Sequence, residues 1–104
     1  MADDPVTRWR AAVEQNPRNE LALFSLAKAY FDRHDHAQAI PQFERAVALK
    51  PDWMMAHILL GRAHLARGDT AQAKSCFERG LELAIAQHHE GPEAEMRELL
   101  EELE

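Results

Sequence analysis

The sequence predicts an all-α chain of about six helices, arranged as antiparallel helix–turn–helix pairs. Three observations predict it. First, every segment between chain breakers spaces its apolar residues with a helical period, and none alternates with the period of two that a strand requires. Second, residues 20–53 and 54–87 are one text written twice, offset by 34. Phe43-Glu44-Arg45 lands on Phe77-Glu78-Arg79, and Asp35, Ala37, Gln38 and Ala39 land on Asp69, Ala71, Gln72 and Ala73. Ala22, Leu26, Ala29, Arg33 and Leu49 also find twins. About a third of the positions are identical, and a period of this length belongs to stacked helix pairs. Third, the shortest turns hold no more than about four residues, so consecutive helices are antiparallel neighbours.

The elements follow in order. The first helix runs from Pro5, a residue suited to a first turn, to about Gln15, where Asn16-Pro17 ends it. The second spans about Asn19 to Arg33. The third begins after Asp35, with Asp35 and Gln38 at capping-box spacing, a device that Asp69 and Gln72 repeat one period later. It ends near Leu49, before Lys50-Pro51. Pro41 lies inside it and deletes the bond to the Ala37 carbonyl, so a slight kink is expected. Asp52 is expected to cap the fourth helix, which runs to about Arg67 and stops at Gly68. The fifth spans Thr70 to about His88. Gly91-Pro92 is expected to break the chain before a sixth helix that ends near Leu103.

Bulk properties narrow the function classes. A chain of 104 residues is expected to be one domain, residues 1–104. No apolar run approaches the roughly 20 residues of a membrane span, and the acidic start lacks a secretory h-region. Cys76 is the single cysteine, so no internal disulfide forms. These features favour the cytoplasm. The net charge of −6 comes from the tail, where Glu90, Glu93, Glu95, Glu98, Glu101, Glu102 and Glu104 face only Arg97. An acidic tail argues against nucleic acid and anionic membrane as partners. It reads as a solvated helix face or as a segment that seeks a basic partner.

The repeat also carries a signature. The first copy sets Leu23, Leu26, Ala27, Tyr30, Ala39, Phe43, Ala46 and Pro51 at its key positions, and the second sets His57, Leu60, Gly61, His64, Ala73, Phe77, Gly80 and Ile85. This spacing resembles the tetratricopeptide repeat, with departures at His57, His64 and Ile85. The first helix extends the pattern backwards: Trp9, Ala12, Val13 and Pro17 precede Phe43, Ala46, Val47 and Pro51 by one period. The resemblance implies a short right-handed superhelix: an N-terminal half-repeat helix at 5–17, repeats at 20–53 and 54–87, and a C-terminal capping helix at 92–104. Met96, Leu99, Leu100 and Leu103 give that last helix one apolar stripe. Six helices hold about the content of three repeats, so the chain reads as complete or as a well-chosen fragment.

Two triplets lie off the core stripe at matching places. Phe24, Lys28 and Phe31 are followed one period later by Ile58, Arg62 and Leu65, each in the order apolar, basic, apolar. In the family, the first helix of each pair lines a concave groove. The resemblance therefore implies a peptide-binding groove of Leu21, Phe24, Lys28, Phe31, Met55, Ile58, Arg62 and Leu65. Exposure to the groove is expected for Phe24 and Ile58. An apolar strip with two cations suits an amphipathic peptide that bears carboxylates. Some relatives bind chaperone C-terminal carboxylates through lysines and asparagines. This chain lacks that set and places Phe24 and Ile58 where polar groups would be needed.

No catalytic or metal site is expected. His57 and His64, seven residues apart on one helix, stand about 10 Å apart along the axis, too far for one ion, and no cysteine or carboxylate completes a zinc spacing. Cys76 has no activating group at local spacing. The four glycines are scattered and cannot cradle a phosphate. The expected function is non-catalytic: an adaptor for a protein or peptide ligand, with no cofactor. The alternative is a self-assembling scaffold, a weak homodimer whose acidic sixth helix docks in another copy's groove.

Overall fold

In a computed structural model, residues 4–104 form six α-helices, with no strand among these described residues. They are α1 (Pro5–Gln15), α2 (Glu20–Asp32), α3 (His36–Leu49), α4 (Met54–Ala66), α5 (Thr70–Ala86) and α6 (Glu90–Glu102). Each helix packs on its sequence neighbours, and α2 also touches α4. The stack measures 44 × 27 × 21 Å.

Side-chain caps start four of the helices. Asp4 accepts from the Val6 N–H at 3.2 Å and Asn19 from the Ala22 N–H at 3.1 Å. Asp35 and Asp69 accept from the Gln38 and Gln72 N–H groups, each at 3.3 Å. The reciprocal half of the capping box is not formed, because the N–H it would serve is already used. Asp35 N–H donates to the Tyr30 carbonyl and Asp69 N–H to the His64 carbonyl, both at 2.9 Å. These bonds close the preceding helices through one left-handed residue, His34 (φ 61°) or Gly68 (φ 81°). His88 (φ 60°) ends α5 in the same way, with His89 N–H on the Ala84 carbonyl.

Two local expectations are corrected. Asp52 does not cap α4. Trp53 holds the cap position, makes no side-chain cap bond, and lays its ring on Phe24. The Asp52 carbonyl instead accepts from Gln87 Nε2 at 2.9 Å. Gly91-Pro92 does not precede α6 but lies in its first turn, where a helix leaves N–H groups unpaired and proline costs little. The break falls one turn earlier, at His88. Across Pro41, α3 is continuous.

Two apolar clusters fill the stack. One joins α1, α2 and α3 to Leu59 and Leu60 of α4. The other joins α4 and α5 to α6 through Met54, Ile58, Phe77, Leu83 and Met96. Ala27, Ala39 and Ala73 are buried without exposure, and a Cβ on Gly61 would lie 2.6 Å from Phe77 Cε1. The small residues stand where helices come closest. Met96 is completely buried, and Leu99, Leu100 and Leu103 pack beside it at the edge of the second cluster. Burying a methionine side chain contributes about 1.5–3 kcal/mol. The sixth helix is therefore seated on its own chain.

Candidate interaction face

The helix pair that could receive a ligand is α2 with α4. Both run in the same direction, because each is antiparallel to the α3 between them. Leu21 and Met55 occupy the same register on the two helices and are among the few large apolar side chains left to solvent, at 59% and 41% exposure. Phe24 is half-buried. Its ring stacks on Trp53 at 4.4 Å and 21°, and meets the buried Phe43 edge-on at 5.8 Å. The Lys50 ammonium lies 5.5 Å from the centre of the Trp53 ring. Leu21, Met55 and the Phe24–Trp53 pair are exposed or half-exposed apolar groups at the N-terminal ends of these two helices.

The remaining site residues of the sequence reading divide differently. Ile58 is 2% exposed and corrects the expectation that it faces the groove. Its side chain belongs to the second cluster, and a Cβ on Gly80 would come 3.0 Å from its Cγ1. Phe31 and Leu65 are half-buried, Phe31 edge-on to Phe43 and His36, Leu65 against the second cluster. Lys28 is exposed and pairs with Asp32 at 3.0 Å. Arg62 pairs with Glu95 of α6 at 2.7 Å. Both cations thus have a carboxylate of this chain before any ligand arrives.

Trp53 and Glu95 were missed by the sequence reading. A signal for Trp53 exists: its period partners are Asn19 and Gln87, so an aromatic ring stands where the other turns carry amides. Glu95 lies outside the repeats, and no spacing ties it to Arg62.

The groups considered for chemistry are held in structural roles. His57 Nε2–H donates to the Pro51 carbonyl at 2.8 Å; burial lowers its pKa more than that bond raises it, and Arg79 lowers it further. His64 Nδ1 stands 3.9 Å from Asp69 beside the α4 terminus. Cys76 is half-buried, and burial, helped by Glu44 and Asp69, pushes its thiol up to about 11, so it is scarcely ionised at neutral pH. No group of three or more His, Cys, Asp or Glu side chains among the described residues could hold a metal ion. No helix among them is long and apolar enough to cross a membrane.

Tetratricopeptide repeat models match residues 4–53 and residues 31–84, the second alone spanning more than half of the chain. The chain belongs to the tetratricopeptide repeat family. Proteins of this family typically serve as interaction modules. Among solved structures, this tetratricopeptide repeat chain resembles the first such domain of Spaghetti (RPAP3) bound to the HSP90 peptide SRMEEVD. The TM-score is 0.80 at 26% identity, over 94% of this chain and 73% of that one. Protein BPP2914 from Bordetella parapertussis aligns with TM-score 0.81 and 27% identity, over 99% and 89% of the two chains. PcrH, solved with the chaperone-binding region of PopD, gives TM-score 0.88 at 20% identity, over 94% and 74%, and supports the fold alone. No curated protein sequence matches the chain.

Proposed function

We propose that the chain is a non-catalytic adaptor that receives a peptide or a partner helix on the face shared by α2 and α4. The observation that carries this reading is the matched exposure of Leu21 and Met55, one period apart on neighbouring helices, together with the half-exposed Phe24–Trp53 stack. Exposed apolar groups in register on two parallel helices suit an amphipathic segment with evenly spaced anchors. The peptide seen on the Spaghetti domain is supporting precedent for the use of this fold. Lys28 and Arg62 are already paired, so apolar anchors contribute more to this binding than ligand carboxylates do. The alternative, self-assembly through α6, has less support, since Met96 of its stripe is buried and Leu99, Leu100 and Leu103 pack partly against the second cluster.

The test is selection from a displayed peptide library, followed by titration of the selected peptides. Leu21→Glu with Met55→Glu is expected to weaken binding at least tenfold while the helical circular dichroism is unchanged. Unchanged affinity in the folded double variant refutes the reading.

A further inference from the structure

A shallow cleft of about 220 Å³ lies between α1 and α2, with Pro5, Trp9, Phe24, Ser25, Lys28 and Ala29 in its wall. The 34-residue period gives it an internal counterpart between α3 and α4. There the matching residues are Ala39, Phe43, Ile58, Leu59, Arg62 and Ala63. The apolar five of these are buried: Ala39, Phe43 and Ala63 at 0%, Ile58 at 2% and Leu59 at 9%. In the α1–α2 cleft, Pro5 is exposed and Trp9, Phe24, Ser25 and Ala29 are only half-buried. The helix pair is equivalent in both places; α2 covers Ala39, Phe43 and Leu59, whereas α5 and α6 cover Ile58. Helix α2 packs on α3 and reaches α4, and its Leu23, Leu26, Ala27 and Tyr30 share a core with Ala39, Phe43 and Leu59. Among the described residues, no helix fills the same position beside α1.

We propose that the α1–α2 cleft is a docking site for one amphipathic helix of a partner protein, seated as α2 is seated on α3 and α4. The interface it would continue already exists one period along the chain, and that interface specifies the occupant. The inward stripe carries large apolar residues at i, i+3 and i+7 and a small residue at i+4, as Leu23, Leu26, Tyr30 and Ala27 do in α2. A second copy does not offer that stripe, because its Leu23, Leu26, Ala27, Tyr30 and Met96 are buried in its own core. The cleft shares Phe24 and Lys28 with the α2–α4 face but not Leu21 or Met55, so Met55→Glu separates binding at the two.

The probe is a synthetic peptide of residues 19–34, held helical by a side-chain lactam, since it carries the required stripe. In a Trp53→Phe background, Trp9 is the sole tryptophan. Saturable binding with a blue shift of Trp9 emission is expected, weakened at least tenfold by Ala29→Arg and within twofold of the parent in Met55→Glu. Ser25→Arg replaces Ala29→Arg if that variant loses its helical signal. The proposal is overturned if Trp9 emission does not move up to millimolar peptide, if binding survives the cleft substitution, or if Met55→Glu removes it.

Discussion

Gly61 faces the Phe77 ring so closely that a Cβ would come within 2.6 Å of Cε1 and 2.7 Å of Cδ1. Phe77 has no exposure and no room to turn away. Gly61→Ala is therefore expected to destabilise the chain. Overpacking costs about 1–3 kcal/mol, against a helix-propensity gain of up to about 1 kcal/mol. Urea unfolding should show a lower midpoint at unchanged slope. Gly91→Ala is the control: nothing lies within 4 Å of its added Cβ, so the same substitution is expected to raise the midpoint. Equal effects at the two sites would show that packing against Phe77 is not what keeps position 61 small.

His34 stands in the left-handed region at φ 61°, at the position where the next repeat has Gly68 at φ 81°. An L-residue there costs about 1–2 kcal/mol, partly offset by the chain entropy that glycine loses on folding, about 0.5–1 kcal/mol. His34→Gly is expected to stabilise the protein by roughly 0.5–1 kcal/mol, the difference of those terms. Thermal or urea unfolding reads it directly. A destabilised variant would mean that the His34 contact with the His36 ring, 6.0 Å between centres, outweighs the backbone gain.

The burial of His57 sets the sign of one pH effect. Burial lowers its folded pKa despite the Pro51 bond, so the folded state resists a proton that the unfolded chain accepts. Above the unfolded value of about 6.5 both states are neutral and the residue adds no slope. As pH falls below it, the unfolded state binds more protons and stability declines, until the lower folded pKa is passed. His57→Gln is expected to flatten stability between pH 7 and pH 5 relative to the parent. An identical pH slope in the two proteins would show that His57 is not its source.

The fold was legible because each piece of it is local. Pro17, Pro51 and Gly68 mark turns, and the echo of Phe43 in Phe77 marks the pairing of helices. What was not legible depends on α6, which stands outside the period. Ile58 looked like the partner of Phe24, but Met96 and Gly80 close over it. Arg62 looked like the partner of Lys28, but its carboxylate lies on another helix rather than four residues on. The Gly91-Pro92 pair read as a stop because both residues usually are, whereas a first turn has no bond for proline to break. Trp53 was passed over because a cap position invites a search for a polar side chain.

The Arg62–Glu95 pair ties α4 to α6 at 2.7 Å, yet both side chains are substantially exposed, at 36% and 50%. Such a pair is worth about 0.2–1 kcal/mol, much less than the burial of Met96 beneath it. The two contributions separate by mutation. Met96→Ala is expected to cost about 2–5 kcal/mol and to raise amide exchange throughout α6. Glu95→Gln should leave stability nearly unchanged and release the Arg62 guanidinium. If the α2–α4 face binds peptides as proposed, acidic members of a selected set should then bind several-fold more tightly, with a steeper dependence on salt. Neutral members should be unaffected. A gain shared equally by neutral and acidic peptides would place the effect in the packing of α6 rather than in the charge of Arg62.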